Sequence, residues 1–169
     1  MWSSRRKLVA VLAALPLVTA ACGFEPLYDE GSPAAGMGGR VEVGVIDGAA
    51  GLAMRERLVT RLGPPATPTH RLAVELSYDT VGVALTRESV TTRFDVVGRA
   101  TFSLVPLDGG PAVLTDQVRA VTGVSAPDLP AATAFAVESA ERDAQRRLAV
   151  LLADRILLRM ALSAPEWAE

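Results

Sequence analysis

The chain has 169 residues, half of them hydrophobic, 21% charged and 5% aromatic, with a formal charge of -2. That composition builds a globular core, excludes a disordered chain and offers no bulk positive field for nucleic acid. One His and one Cys exclude an internal disulfide and most zinc sites.

The first 21 residues read as a cleaved signal peptide. Arg5, Arg6 and Lys7 form a basic start, and Leu8 to Val18 is an apolar run too short for a comfortable membrane span. Val18-Thr19-Ala20-Ala21-Cys22 then has the layout of a bacterial lipobox, which predicts acylation of the sulfur of Cys22 and cleavage before it. Two or three acyl chains anchor a protein stably, at roughly 0.8 kcal/mol per buried methylene. The mature chain would carry 14 Arg, no Lys and 19 acids. Arg suits phosphate and carboxylate recognition through its planar fork. A GC-rich coding sequence also explains many of these arginines.

Residues 22–39 are expected to be the lipidated N-terminus and a flexible, Gly-rich linker. A folded domain then spans 40–162, followed by a short tail at 163–169. Arg40 to Asp47 alternates, with Val41, Val43 and Val45 on one face, and predicts a strand. Residues 50 to 62 suit a helix whose stripe is Leu52, Arg55, Leu58, Val59 and Leu62, stopped by Gly63-Pro64-Pro65. His70 to Leu85 reads as a second strand. Its apolar parity flips after Asp79, which predicts a bulge near Asp79-Thr80.

Ser89 to Val105 is the clearest strand. Val90, Phe94, Val96, Ala100, Phe102 and Leu104 fall on even positions, with polar residues on most odd ones. Gly98 predicts a kink in its middle. After a turn at Asp108-Gly109-Gly110, Val113 to Val124 forms a further strand. Asp128-Leu129-Pro130 opens a helix over 131–162, with Asp128 as cap. Phe135, Ala140, Ala144, Leu148, Leu151, Leu152 and Leu158 supply its stripe, and Glu138–Arg142 and Asp143–Arg147 its i,i+4 ion pairs. The expected architecture is α+β: two helices on one face of a four-stranded, mostly antiparallel sheet, in the order β-α-β-β-β-α.

Chemistry is sparse. Glu75 with Asp79, or Glu138 with Glu141, are carboxylate pairs on faces expected to be solvated. His70 begins a strand after a Pro-rich loop, where a surface role is expected. No phosphate-binding loop is present, and no metal or cofactor is expected. A small periplasmic hydrolase working through His70 or Asp79 is the remaining enzymatic reading. Arg87, Arg93 and Arg99 recur at six-residue steps, so a continuous strand puts them on one face with Thr91, Thr101 and Ser103. Such a row could hold the phosphates of an amphipathic ligand, or be a solvated face neutralised by Glu88 and Asp95.

Cys22-Gly23-Phe24-Glu25-Pro26-Leu27-Tyr28 resembles the CGF-x-PLY start of the alphaproteobacterial LptE family of lipopolysaccharide-assembly lipoproteins. Glu141-Arg142-Asp143-Ala144, Arg147-Leu148 and Leu151-Leu152-Ala153-Asp154-Arg155-Ile156 are similar to that family's last helix. The resemblance implies a non-enzymatic, lipid-anchored protein on the periplasmic face of the outer membrane. It further implies a plug in a 1:1 complex with the LptD β-barrel, helping that barrel assemble and insert lipopolysaccharide into the outer leaflet. It also implies lipopolysaccharide binding by basic residues, for which Arg87, Arg93 and Arg99 are the strand-based candidates. The alternative is an auxiliary lipoprotein of a lipid-transport ABC system.

Overall fold

The computed structural model describes residues 35–85, 91–125 and 134–168. Its elements are β1 (Val41–Val43), α1 (Gly48–Leu62), β2 (His70–Leu85), β3 (Thr91–Pro106), β4 (Leu114–Ser125) and α2 (Ala134–Ser163), with 3-10 turns at Ala35–Met37 and Ala164–Glu166. The expected order β-α-β-β-β-α holds. The sheet runs β1-β2-β3-β4. Both long ladders are antiparallel, from His70↔Pro106 to Leu85↔Thr91 and from Leu104↔Leu114 to Arg93↔Ser125. β1 pairs parallel with β2 at Val41↔His70, so the sheet is mixed. The cause is α1, whose crossover returns the chain to the end of the sheet where β1 began.

Alternation in the strands builds the core. Leu72, Val74, Val96, Ala100, Phe102, Leu104, Val118, Ala120 and Val124 are buried beneath the helices. α1 meets them with Met54, Leu58 and Leu62, and α2 with Leu148, Leu152, Ile156 and Met160. Each such large side chain contributes about 1.5–3 kcal/mol relative to leaving it in water. Arg57 of α1 clasps Asp154 of α2 through Nε at 2.8 Å and Nη2 at 3.1 Å. The hydrogen bond and the adjacent charge hold the Arg57 pKa above its ordinary value, and the fork fixes the rotation of one helix against the other.

The helix stripes differ from the expected ones. In α1 Leu52 is 57% exposed and Arg55 also faces solvent, while Ala50, Gly51 and Met54 are buried. Gly51 explains the rotation: a Cβ there would lie 2.5 Å from the carbonyl oxygen of Ile46, so only glycine lets the helix settle on that backbone. In α2 Phe135, Leu151 and Leu158 are exposed, and Ala149, Ala153 and Ala161 join the buried face. Small side chains suit a helix wedged between α1 and the sheet. The ion pairs Glu138–Arg142 and Asp143–Arg147 form as expected. The proposed cap Asp128 lies outside the described residues.

The strands correct three finer expectations. β1 stops at Val43, and Val45 turns outward as the chain swings into α1 while Ile46 is buried instead. No bulge occurs at Asp79-Thr80. The register runs evenly through Asp79↔Val97, Thr80↔Val96 and Val81↔Asp95, and shifts only between Gly82 and Leu85. The parity flip therefore puts Val81 on the outer face, half exposed. Gly98 interrupts neither ladder. It makes room: a Cβ would lie 3.1 Å from Leu152 Cδ1 and 3.2 Å from Tyr78 Cε1. At the ends, Met37 and Trp167 are both buried in the core. Arg40 donates to the Ala168 carbonyl at 2.5 Å, joining the two ends of the fold.

Candidate interaction face

The helices cover one side of the sheet, and no described element covers the other. Odd-numbered residues of β2, β3 and β4 point to that bare side, and the register sorts them into cross-strand rows. Glu75, Thr101 and Gln117 form one row, Ser77, Arg99 and Arg119 the next, Asp79, Val97 and Val121 the next, and Val81, Asp95 and Gly123 the one after. Glu42 of β1 joins the face beside Arg71, which reaches it at 3.2 Å.

Arg93 and Arg99 share this face, as their spacing predicts. They stand about 20 Å apart along β3, so they do not converge on one small ligand. Arg99 pairs with Asp79 across the strands. The Arg93 guanidinium lies over Gly123, where a Cβ would come within 3.3 Å of Nη2, and Asp95 is beside the same glycine. Arg87 and Cys22 lie outside the described residues. Glu75 and Asp79 are solvated on this face.

Arg119 was not singled out from the sequence, yet it stands directly opposite Arg99. Extending the odd-even alternation into Val113 to Val124 would have found it, because Val118 and Ala120 flank it on the buried parity. Gln117 lies next to it and donates to the Thr101 hydroxyl at 3.2 Å. Arg71, Arg93, Arg99 and Arg119 thus share the face with Glu42, Glu75, Asp79 and Asp95. Among the described residues its formal charges balance, its guanidinium groups concentrate at Arg99 and Arg119, and Val81, Val97 and Val121 form an apolar strip beside them.

Among the described residues nothing else gathers chemistry. Glu138 pairs with Arg142, and Glu141 accepts from Thr80 Oγ1 at 2.6 Å. His70 packs edge-on against Trp167, with ring centroids 5.3 Å apart, and its Nδ1 meets Thr69 Oγ1 at 2.9 Å. The described residues contain no cluster of three or more His, Cys, Asp or Glu and no buried charged side chain. Tyr78 is the one strongly shifted titrating group among them. Burial beneath α2 pushes its hydroxyl up to about 12. No described helix is long and apolar enough to cross a membrane.

The family model for lipopolysaccharide assembly, LptE, matches residues 39–160. The chain belongs to the LptE family. It is therefore a lipopolysaccharide-assembly lipoprotein by family, associated with the lipopolysaccharide transport machinery. Solved structures share the fold of this LptE-family chain. A lipoprotein from Caulobacter crescentus is similar with a TM-score of 0.57 at 21% identity, over 79% of this chain and 96% of that one. The rare lipoprotein B of Shewanella oneidensis gives 0.59 at 15% identity, over 77% and 99%. A minor lipoprotein of Acinetobacter baumannii gives 0.50 at 14% identity, over 73% and 90%. No curated protein matches the chain by sequence.

Proposed function

We propose that this LptE-family chain is an outer-membrane lipoprotein, anchored through acyl chains on Cys22 with its fold on the periplasmic side. It plugs the LptD β-barrel in a 1:1 complex and helps that barrel assemble. With it, the chain takes part in inserting lipopolysaccharide into the outer leaflet, binding lipopolysaccharide itself. It performs no catalysis.

The observation that carries this reading is the bare sheet face. Hydroxyl, amide and compensated charge spread over strands β2 to β4 suit contact with a polar barrel lumen and do not suit a lipid interior. Lipopolysaccharide presents phosphates beside acyl chains. The Arg99–Arg119 pair, with Arg93 farther along β3, offers forks for those phosphates, and Arg87, outside the described residues, is proposed to join them.

The test is purification from native outer membrane in mild detergent. Stoichiometric recovery with a large barrel protein is expected. Recovery only with inner-membrane transporter subunits would favour the auxiliary role in a lipid-transport ABC system.

A further inference from the structure

β4 is the long edge of the sheet: β3 fills one side of it and no described strand lies on the other. Twelve residues of edge are a template for another strand, since each outward N–H and C=O is ready to pair. Two of these outward groups are already taken. The backbone N–H of Gln117 donates to Asp116 Oδ1 at 2.7 Å. The carbonyl of Arg119 accepts from Arg155 Nη1 of α2. Alternate residues of an antiparallel strand turn their backbone groups the same way, so Gln117 and Arg119 both face off the sheet. Arg159, one turn beyond Arg155 and on the same side of α2, reaches Asp116 Oδ2 at 3.5 Å and steadies that carboxylate. The occupied groups sit in the middle of β4, so a strand running its full length would have to displace both.

We propose that the outer edge of β4 is a strand-pairing surface held shut by Asp116, Arg155 and Arg159, and that the partner they exclude is a second copy of this chain. Two β4 edges placed antiparallel about a two-fold axis would match each other in length and continue one sheet into the next. The alternation in β4 would also carry across, with Val118, Ala120 and Val124 on the helix side of both copies. None of the three side chains is needed for the core. Arg155 is exposed, and the Asp116–Arg159 pair is half solvated. This inference is independent of the barrel reading.

The test compares the full chain, purified in detergent, with the same chain carrying Asp116→Ala and Arg155→Ala, by sedimentation velocity. Wild type is expected to be monomeric. The double variant is expected to self-associate at least tenfold more tightly and to run as a dimer at the same concentration. Adding Gln117→Pro should return it to monomer, because that N–H makes no bond to β3. A double variant that keeps its circular dichroism and stays monomeric overturns the proposal. So does a wild-type dimer that Gln117→Pro dissolves. Should the double variant unfold, Arg155→Met with Asp116→Val keeps most of the volume of both side chains, removes both the donor and the acceptor, and decides by the same readout.

Discussion

Arg99 and Arg119 stand opposite each other on β3 and β4, and Asp79 pairs with Arg99 alone. Like charges directly across a ladder oppose each other, and one carboxylate relieves only part of that repulsion. An incoming phosphate would bridge the two forks and relieve the rest.

The pair Arg99→Glu and Arg119→Glu is accordingly expected to weaken lipopolysaccharide binding by tenfold or more. Charge-assisted hydrogen bonds contribute about 1.5–3 kcal/mol each. Arg93→Glu, some 20 Å along the strand, should have a smaller effect. Titration calorimetry with purified lipopolysaccharide measures both. The thermal midpoint should fall by a few degrees at most, because the two new carboxylates face each other beside Asp79 but lie outside the core. Unchanged affinity in the first pair would remove those residues from the site.

Gly51→Ala should destabilise the fold. Alanine in a helix interior normally gains about 1 kcal/mol over glycine. Here the new methyl would meet the Ile46 backbone at 2.5 Å, and backbone cannot step aside cheaply. A loss of about 1–3 kcal/mol is expected from the overpacking. Urea unfolding of the two chains gives the sign directly, and a higher midpoint for Gly51→Ala would refute the packing described for α1.

Tyr78 predicts an alkaline weakness. Its folded pKa of about 12 lies above the ordinary value of 10.0 because burial disfavours the phenolate. The unfolded chain therefore releases this proton first. The stability that Tyr78 contributes is complete below about pH 10 and drains away as the pH rises toward 12. Tyr78→Phe should flatten that decline in a series of denaturant curves from pH 9 to 12. A decline of the same slope in the variant would place its origin elsewhere.

Cys22→Ala should abolish incorporation of labelled palmitate while leaving the folded core unchanged by circular dichroism. Label persisting in the variant would rule out the thiol as the acylation site. Membrane retention alone does not discriminate, because a barrel partner could hold the unlipidated chain.

Much of the fold was readable in the alternation of single strands. β2 begins and ends where the pattern does, and the even-odd order of β3 separates core from solvent at nearly every position. The helices were harder, since a stripe of large apolar residues is only one way to bury a helix. In α2 the buried face is built of Ala149, Ala153 and Ala161 as much as of leucines, and the close contact those alanines permit is a property of the assembled layers. Gly98 carried an ambiguous signal for the same reason. A glycine in a strand marks either a bend or a close approach, and only the position of Leu152 decides between them. The parity flip after Asp79 was visible, but its meaning depended on register: the strand continues straight and displays Val81. On the bare face, Arg93 and Arg99 could be placed from spacing along one strand. Their relation to Asp79 and Arg119 required knowing which residues of β2 and β4 lie beside them.

If the plug arrangement holds, the barrel wall lies against the sheet face opposite the helices. A photo-crosslinking residue placed at Thr101 or Gln117 in living cells reads out that contact. A crosslinked band containing the barrel protein is expected from both positions. Crosslinks from neither position, in cells where the chain is lipidated and folded, would contradict it.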